Sequence, residues 1–219
     1  MLLSKRKIAS RQRRNLVTYS NPDSLIAEQF REIRTNISFV TKKGKKPILL
    51  VTSPAEGEGK STTAANLAVS MASQKENVLL IDANLREPAL DYIFKISHSA
   101  GLTDVLAGKA SLEDAVDRTE IGRLEVLTAG NSPKNPTEIL ESERMKDLLK
   151  DAMTKYDVVL IDSPGVLKVA DSRVLANKCD GVILVVSSSS TGHEKAWEAK
   201  KALEFAQANI VGVIINEMK

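Results

Sequence analysis

The stretch that decides the fold is Ser53-Pro54-Ala55-Glu56-Gly57-Glu58-Gly59-Lys60-Ser61-Thr62. It follows a short apolar run at 47–51, whose length and β-branched content predict a buried strand, and it leads into a helical pattern at 60–73. Glycines let backbone N–H groups turn inward around a phosphate, and the N-terminus of the next helix adds a positive dipole end. The Gly-Lys-Ser triplet at this strand-to-helix junction therefore predicts a phosphate-binding loop.

The positions of this loop have separate predicted tasks. Lys60 is placed to reach the β- and γ-phosphates of a nucleotide, and the hydroxyl of Ser61 is a ligand for Mg2+. Pro54 stands where the general G-x-x-x-x-G-K-[ST] pattern has its first glycine, which is the one departure from it. We therefore expect ATP and Mg2+ as cofactors. The residues expected to hold the nucleotide are Gly57, Glu58, Gly59, Lys60, Ser61 and Thr62.

The same order of apolar strand, turn and amphipathic helix recurs along the chain. Further strands are predicted at 78–81, 124–128, 158–161, 182–186 and 211–215. Further helices are predicted at 102–106, 142–153, 170–177 and 192–206. Strands that alternate with helices of this length predict an α/β fold, a P-loop NTPase with a mostly parallel central sheet and helices on both faces.

Two aspartates follow predicted strands directly. Asp82 and Asp162 each come after four apolar residues, so both should project at the carboxyl edge of the sheet beside the phosphate loop. Phosphoryl transfer needs carboxylates to hold Mg2+ and to position the attacking hydroxyl or water. An acid that merely caps a strand is the alternative for each aspartate alone. The two together with the phosphate loop favour a phosphoryl-transfer site.

The N-terminal segment is basic. Six cationic side chains precede the first acid, Asp23: Lys5, Arg6, Lys7, Arg11, Arg13 and Arg14. We expect residues 1–22 to be a flexible lead-in and 23–219 to be a single domain. Such a lead-in suits an anionic membrane surface or an acidic protein segment, or it is a solubilising terminus. Nucleic acid is not expected as a partner, because no aromatic side chains are interleaved for base stacking.

A leading helix is predicted over 23–43, with Asp23 or Ser24 as its N-cap. One apolar face is formed by residues three or four positions apart: Ile26, Phe30, Ile33 and Ile37. Three charged residues, Glu28, Arg31 and Arg34, are predicted to lie away from that stripe and to face outward.

Composition limits the cellular setting that we expect. The sequence has no run of about 18 apolar residues and no apolar segment of signal-peptide length after its first charges. A cytoplasmic location is therefore expected. The single cysteine, Cys179, excludes an internal disulfide, and without Cys or His neighbours it does not predict a zinc site.

Four segments form a combination that is much more specific than any one of them: 53–62, 79–88, 131–140 and 159–164. They resemble the Walker A segment, the A′ segment, the segment between A′ and B, and the Walker B segment of the bacterial tyrosine kinases of capsule and exopolysaccharide synthesis. The leading helix has the order E-x-x-R-x-x-R over 28–34, which resembles the element that this family uses for ring assembly. Together these features span about residues 20–219.

The resemblance implies an ATP- and Mg2+-dependent protein-tyrosine kinase that regulates polysaccharide synthesis and export. It implies that Lys60 is the phosphate lysine and that Ser61 and Asp162 are Mg2+ ligands. It also implies that Asp82 is the base, or a metal-linked carboxylate, that activates the attacking hydroxyl. Arg86 either neutralises charge near the phosphates or pairs with an acid at the surface.

The resemblance also implies partners. Glu28, Arg31 and Arg34 would mediate self-association into a ring, and a transmembrane activator on a separate chain would hold the kinase at the inner face of the cell membrane. The basic lead-in could lie near that membrane. Protein tyrosines would be the substrates.

The sequence departs from the family pattern at its A′ segment. The usual Asp-Ala-Asp reads Asp82-Ala83-Asn84, and asparagine keeps a ligand oxygen but loses the charge and the ability to take a proton. We expect Asn84 to weaken phosphotransfer more than ATP binding.

The sequence also lacks the tyrosine-rich C-terminal tail that is the usual substrate of the family. Its tyrosines are Tyr19, Tyr92 and Tyr156. Either the tail is missing from this sequence or the protein acts on other substrates. Tyr19 is the best internal acceptor, because Tyr156 begins a predicted strand.

Two alternatives remain open. One is a P-loop ATPase switch of the ParA and MinD type, although the signature lysine of that group is replaced here by Ala55. The other is a catalytically weak nucleotide-binding scaffold of the same polysaccharide system. Asn216 after the last strand is either a contact for adenine or a turn residue.

Overall fold

A seven-stranded sheet forms the centre of the computed structural model, which describes residues 16–41, 46–97 and 100–216. The strands are β1 (Ile48–Thr52), β2 (Val78–Asp82), β3 (Val116–Arg118), β4 (Leu124–Leu127), β5 (Val158–Asp162), β6 (Gly181–Ser187) and β7 (Ile210–Asn216). Their order in the sheet is β3-β4-β2-β5-β1-β6-β7. Every neighbouring pair is parallel except β3 with β4. The predicted mostly parallel sheet is confirmed.

Helices cover both faces of the sheet. They are α1 (Val17–Ser20), α2 (Leu25–Val40), α3 (Lys60–Ala72), α4 (Leu90–Phe94), α5 (Leu102–Leu106), α6 (Leu112–Ala115), α7 (Pro136–Glu141), α8 (Glu143–Lys155), α9 (Asp171–Ala176) and α10 (His193–Phe205). One apolar cluster packs the sheet against α5 to α10, and a second packs it against α2, α3 and α4. Strand β1 is buried between them, with Leu49, Leu50 and Val51 fully inaccessible to solvent. No helix of the described residues is long and apolar enough to cross a membrane.

Several short helices and strands were not predicted from the sequence. The antiparallel strand β3 has only three residues, and α1, α4 and α6 have four or five. Segments of that length do not complete an apolar period, so tertiary contacts decide their conformation. The longer predicted strands and helices are confirmed within one or two residues at each end, except that the leading helix, predicted over 23–43, ends at Val40.

The leading helix corrects two predictions. Ser24 caps α2 as predicted, since its Oγ accepts the N–H of Ala27 at 3.2 Å. Phe30, Ile33 and Ile37 pack against the second cluster, whereas Ile26 is half exposed and does not join the core.

Arg34 does not face outward as predicted. Its Nη1 donates to the backbone oxygen of Ser70 on α3 at 2.7 Å and to the Ser70 hydroxyl at 3.2 Å. The reason is geometric, because position 34 follows Phe30 by four residues and precedes Ile37 by three. Arg34 therefore lies at the edge of the buried stripe and turns toward α3.

The described part of the predicted lead-in is ordered. Thr18 in α1 donates from its backbone N–H and from its hydroxyl to Asn66 Oδ1 in α3, at 3.0 and 2.8 Å. Thr18 therefore attaches this segment to the helix that follows the phosphate loop. The domain boundary at residue 22 stays a prediction. The six basic residues of the lead-in lie outside the described residues.

Candidate active site

The phosphate loop connects β1 to α3. Gly57 and Gly59 have φ angles of 81° and 86°, a region that favours glycine. A Cβ atom at Gly59 would also lie 2.2 Å from Asn216 Nδ2, so a side chain there would displace the Asn216 amide. These two glycines give the loop the turn that exposes backbone N–H groups toward a bound phosphate.

The start of α3 supplies the two polar side chains that were predicted here. Lys60 and Ser61 are the first residues of the helix, and both are buried. The free N–H groups and the positive dipole end of α3 lie at the same place, which is a favourable position for an anion.

Glu58 has an unexpected orientation for an acid in such a loop. Its side chain is buried, and Oε1 accepts the backbone N–H of Ala55 at 3.1 Å. The carboxylate therefore braces the loop from within, and the nucleotide contact of Glu58 stays a prediction.

The carboxylates of Asp82 and Asp162 occupy neighbouring positions in the sheet. The two residues are register partners at the ends of β2 and β5, and both are fully buried. Strand β5 also pairs with β1, so the phosphate loop begins beside Asp162. Asp82 accepts three backbone N–H groups, from Asn84 at 3.1 Å and from Ala89 and Leu90 at 2.9 Å each.

Burial raises the pKa of Asp82 to about 7, and the negative charge of Asp162 adds to the effect. A carboxylate with a pKa near neutrality is suited to accept a proton at physiological pH. A divalent cation would relieve both the burial of charge and the repulsion between the two acids.

The donor set fits Mg2+. This ion takes oxygen ligands, commonly one or two carboxylates together with phosphate oxygens and water. In the part of the chain that the structure describes, no group of three or more His, Cys, Asp or Glu side chains forms a metal site by itself. Ser61, Asp82 and Asp162 are the residues that would hold the ion with the help of a nucleotide.

Arg86 contacts an acid that sequence reasoning missed. Its Nε donates to Oδ2 of the buried Asp171 on α9 at 2.9 Å. The hydroxyl of Thr137 on α7 donates to Oδ1 of the same carboxylate at 2.5 Å. Arg86 therefore pairs with an acid, but this acid is buried and does not lie at the surface as predicted, and it joins three segments. A role for Arg86 near the phosphates stays a prediction.

The other end of the loop meets the last strand. Asn216 closes β7, and its Nδ2 donates to the backbone oxygen of Glu58 at 3.0 Å. The contact with adenine that was considered for Asn216 stays a prediction. The hydrogen bond to Glu58 places Asn216 at the edge of the phosphate loop.

The candidate ring-assembly residues are divided between two surfaces. Arg31 Nε donates to Glu28 Oε2 at 2.7 Å, and both side chains are exposed on α2. Arg34 is instead held by Ser70. Self-association through these residues stays a prediction.

The tyrosines differ in accessibility. Tyr19 and Tyr92 are about half exposed, with 50% and 45% of their surface accessible. Tyr156 is buried, and its hydroxyl donates to Glu125. Tyr156 is therefore poorly placed to accept a phosphate, as its position at a strand start predicts.

Comparison with known proteins identifies the family. The family described as AAA domain matches residues 46–208. The tyrosine-protein kinase YwqD of Bacillus subtilis (strain 168) is 46% identical over 210 residues, which cover 96% of this chain and 89% of the relative. This chain belongs to the bacterial tyrosine kinases. The kinase domain of the Escherichia coli tyrosine kinase ETK has a similar structure, with a TM-score of 0.89, 32% identity and coverage of 93% of this chain and 80% of that one.

A more distant solved structure shares the P-loop NTPase fold. The septum site-determining protein MinD of Pyrococcus horikoshii OT3, complexed with Mg-ADP, matches with a TM-score of 0.67 and 27% identity. The match covers 78% of this chain and 70% of MinD. Bacterial tyrosine kinases therefore share their nucleotide-binding scaffold with an ATPase of the group that was considered as an alternative.

Proposed function

We propose that this chain is an ATP- and Mg2+-dependent protein-tyrosine kinase that regulates the synthesis and export of a capsular or extracellular polysaccharide. The observation that carries the proposal is the buried pair Asp82 and Asp162 at the edge of the phosphate loop. Relatives of this chain are named tyrosine-protein kinases, which supports tyrosine as the residue that accepts the phosphate.

Each residue of the proposed active site has a separate task in the reaction. Lys60 and the N-terminus of α3 would bind and orient the phosphates, and Ser61 and Asp162 would hold the metal. Bound Mg2+ supplies charge neutralisation on the transferring phosphoryl group. Asp82 accepts the proton of the attacking tyrosine hydroxyl.

The proton transfer is helped by the environment of Asp82. A free tyrosine hydroxyl has a pKa near 10, whereas an ordinary aspartate has one near 3.9. Burial raises the pKa of Asp82 to about 7 in the metal-free protein, and a bound Mg2+ would lower it again, so the fixed position of the carboxylate is what favours proton transfer. Backbone N–H groups fix the carboxylate, so its orientation does not depend on the substrate.

The partners belong to the proposal as well. A transmembrane activator on a separate chain would bring the kinase to the inner face of the membrane, where the basic lead-in adds electrostatic attraction. A ring of copies would use the exposed pair Glu28 and Arg31 directly. Arg34 would contribute by fixing α2 on α3 through Ser70.

An ATPase switch is the second candidate, and the similarity to MinD favours it. In that group a signature lysine occupies the position of Ala55, which in this chain has no cationic side chain. A switch would release inorganic phosphate and would form a dimer only with ATP.

One experiment separates these functions. The protein is incubated with γ-labelled ATP and Mg2+, with and without an activator fragment and a tyrosine-rich peptide, and the labelled residues are mapped. Label on tyrosine is the expected result. Release of inorganic phosphate without labelled tyrosine would support the ATPase switch, and neither product would support the nucleotide-binding scaffold.

A further inference from the structure

Lys168 forms an ion pair with the phosphate loop. Its Nζ contacts Oε1 of Glu56, one of the residues that form the tip of the loop between β1 and α3. Both side chains are partly open to solvent, with 50% of Lys168 and 36% of Glu56 exposed. The hydrogen bond to Glu56 raises the pKa of Lys168, so the side chain is a full cation.

The backbone before Lys168 is fixed against the phosphate loop. The N–H of Val166 donates to Ser53 O at 2.8 Å, and the N–H of Leu167 donates to Pro54 O at 3.3 Å. A Cβ atom at Gly165 would lie only 2.9 Å from the carbonyl carbon of Ala55, so the two loops are in direct contact. Lys168 therefore starts from an anchored segment, and only its flexible side chain is free to move.

Sheet order places Lys168 on the catalytic side of the loop. Asn216 approaches the loop from β7, at one edge of the sheet, whereas Lys168 follows β5. The other charged groups that act on Lys168 are Glu87 and Arg86, which lie in the A′ segment shortly after the end of β2. Lys168 thus lies on the side of Asp82 and Asp162, where phosphoryl transfer would take place.

The partner of Lys168 is easily exchanged. An ion pair between two exposed side chains contributes little to stability, because water screens it. A nucleoside triphosphate brings several negative oxygens, and a lysine is a common ligand for such phosphates. A terminal phosphate near Glu56 would repel its carboxylate and attract the ammonium group of Lys168.

We propose that Lys168 leaves Glu56 when ATP binds and contacts the γ-phosphate, so that this lysine distinguishes ATP from ADP. Glu56 then acts as a holding partner for Lys168 in the absence of the terminal phosphate. The inference rests on the proposed function only in taking ATP as the nucleotide, and it holds whichever acceptor receives the phosphate.

The test compares nucleotide affinities in the presence of Mg2+. Dissociation constants for ADP and for a non-hydrolysable ATP analogue are measured by calorimetry on the wild type, Lys168→Ala, Lys168→Arg and Glu56→Gln. Lys168→Ala should weaken binding of the ATP analogue about fivefold and binding of ADP less than about twofold. Lys168→Arg should keep most of the difference in affinity between the ATP analogue and ADP, because the cation is retained.

Glu56→Gln distinguishes a phosphate contact from a structural strap. It breaks the same ion pair but leaves Lys168 free, so the ATP analogue should bind at least as tightly as to the wild type. Lys146→Ala is the matched control, since Lys146 forms a similarly exposed pair with Glu143 on α8. Equal losses for ADP and the ATP analogue in Lys168→Ala, or an equal loss in Glu56→Gln, would overturn the proposal.

Tyrosine labelling is a separate readout. Tyrosine labelling, together with a preference for the ATP analogue over ADP that is unchanged in Lys168→Ala, would sink this inference and leave the kinase assignment intact. A preference for ATP that depends on Lys168, in a protein that labels no tyrosine, would support the inference and count against the kinase.

Discussion

Two fully buried aspartates of this chain have opposite surroundings. Asp171 contacts the guanidinium group of Arg86 and the hydroxyl of Thr137. Asp82 contacts backbone N–H groups and has another acid, Asp162, as its strand neighbour. Arg86 supplies a cation to Asp171, whereas the charge beside Asp82 is the negative one of Asp162. A buried acid that is paired with a cation holds segments together, and one that lies beside a second acid is suited to bind a metal.

The largest effect should come from Asp82→Asn. The amide cannot take the proton of the attacking hydroxyl, so the rate of tyrosine phosphorylation should fall by about 10²-fold or more, while the protein stays folded. The measurement is the initial rate with labelled ATP and a tyrosine peptide. Asp171→Asn should keep most of its activity per folded molecule. Comparable losses in the two variants would erase the distinction between the two aspartates.

Substitutions at Asp171 and at Asp82 should change the free energy of unfolding in opposite directions. Asp171→Ala removes the partner of Arg86 and of the Thr137 hydroxyl, so the free energy of unfolding should fall by about 2 kcal/mol. The loss is moderated because more than a third of Arg86 is exposed and water can replace the carboxylate. Asp82→Asn should instead stabilise the metal-free protein at pH 8. Urea unfolding of both variants checks the two signs.

The pH dependence of the free energy of unfolding should also distinguish Asp82 from Asp171. The raised pKa of Asp82 means that the folded, metal-free protein binds a proton that the unfolded chain releases above about 3.8. The contribution of Asp82 to stability should therefore fall as the pH rises from about 4 to about 7, and it should be constant above that window. The free energy of unfolding of the wild type and of Asp82→Asn, measured from pH 5 to pH 8, gives this contribution. Identical slopes for the two proteins would contradict the raised pKa.

The smallest effect is expected at Asn84. Its side-chain oxygen accepts the N–H of Glu87 at 3.3 Å, a contact that aspartate can also make. Asn84→Asp restores a carboxylate near the metal, so phosphotransfer should rise severalfold while ATP affinity changes less. Kinetic constants and ATP dissociation constants are compared with those of the wild type. Equal affinity and equal turnover would show that Asn84 does not limit the reaction.

The sequence was informative where local pattern and site coincide. Asp82 and Asp162 each end a strand, and Lys60 begins the helix after the loop that follows β1. Parallel strands bring such positions to one edge of the sheet. Their positions therefore follow from the order of strands and helices. The fold class is predictable for the same reason.

Side-chain partners from distant elements were not predictable. Arg34 meets Ser70 36 positions away, Arg86 meets Asp171 85 positions away, and Lys168 meets Glu56 112 positions away. Nothing in the local periodicity of either segment specifies these pairs. The outward orientation predicted for Arg34 was wrong because a long side chain at the edge of a stripe can turn to either side.

The most direct test of the central claim is metal binding at the two acids. Mn2+, used as a spectroscopic substitute for Mg2+, is titrated with ADP and followed by electron paramagnetic resonance in the wild type, Asp162→Asn and Asp171→Asn. One ion should bind to the wild type and to Asp171→Asn, and Asp162→Asn should lose affinity by roughly tenfold or more. Undiminished binding in Asp162→Asn, or a comparable loss in Asp171→Asn, would contradict the account.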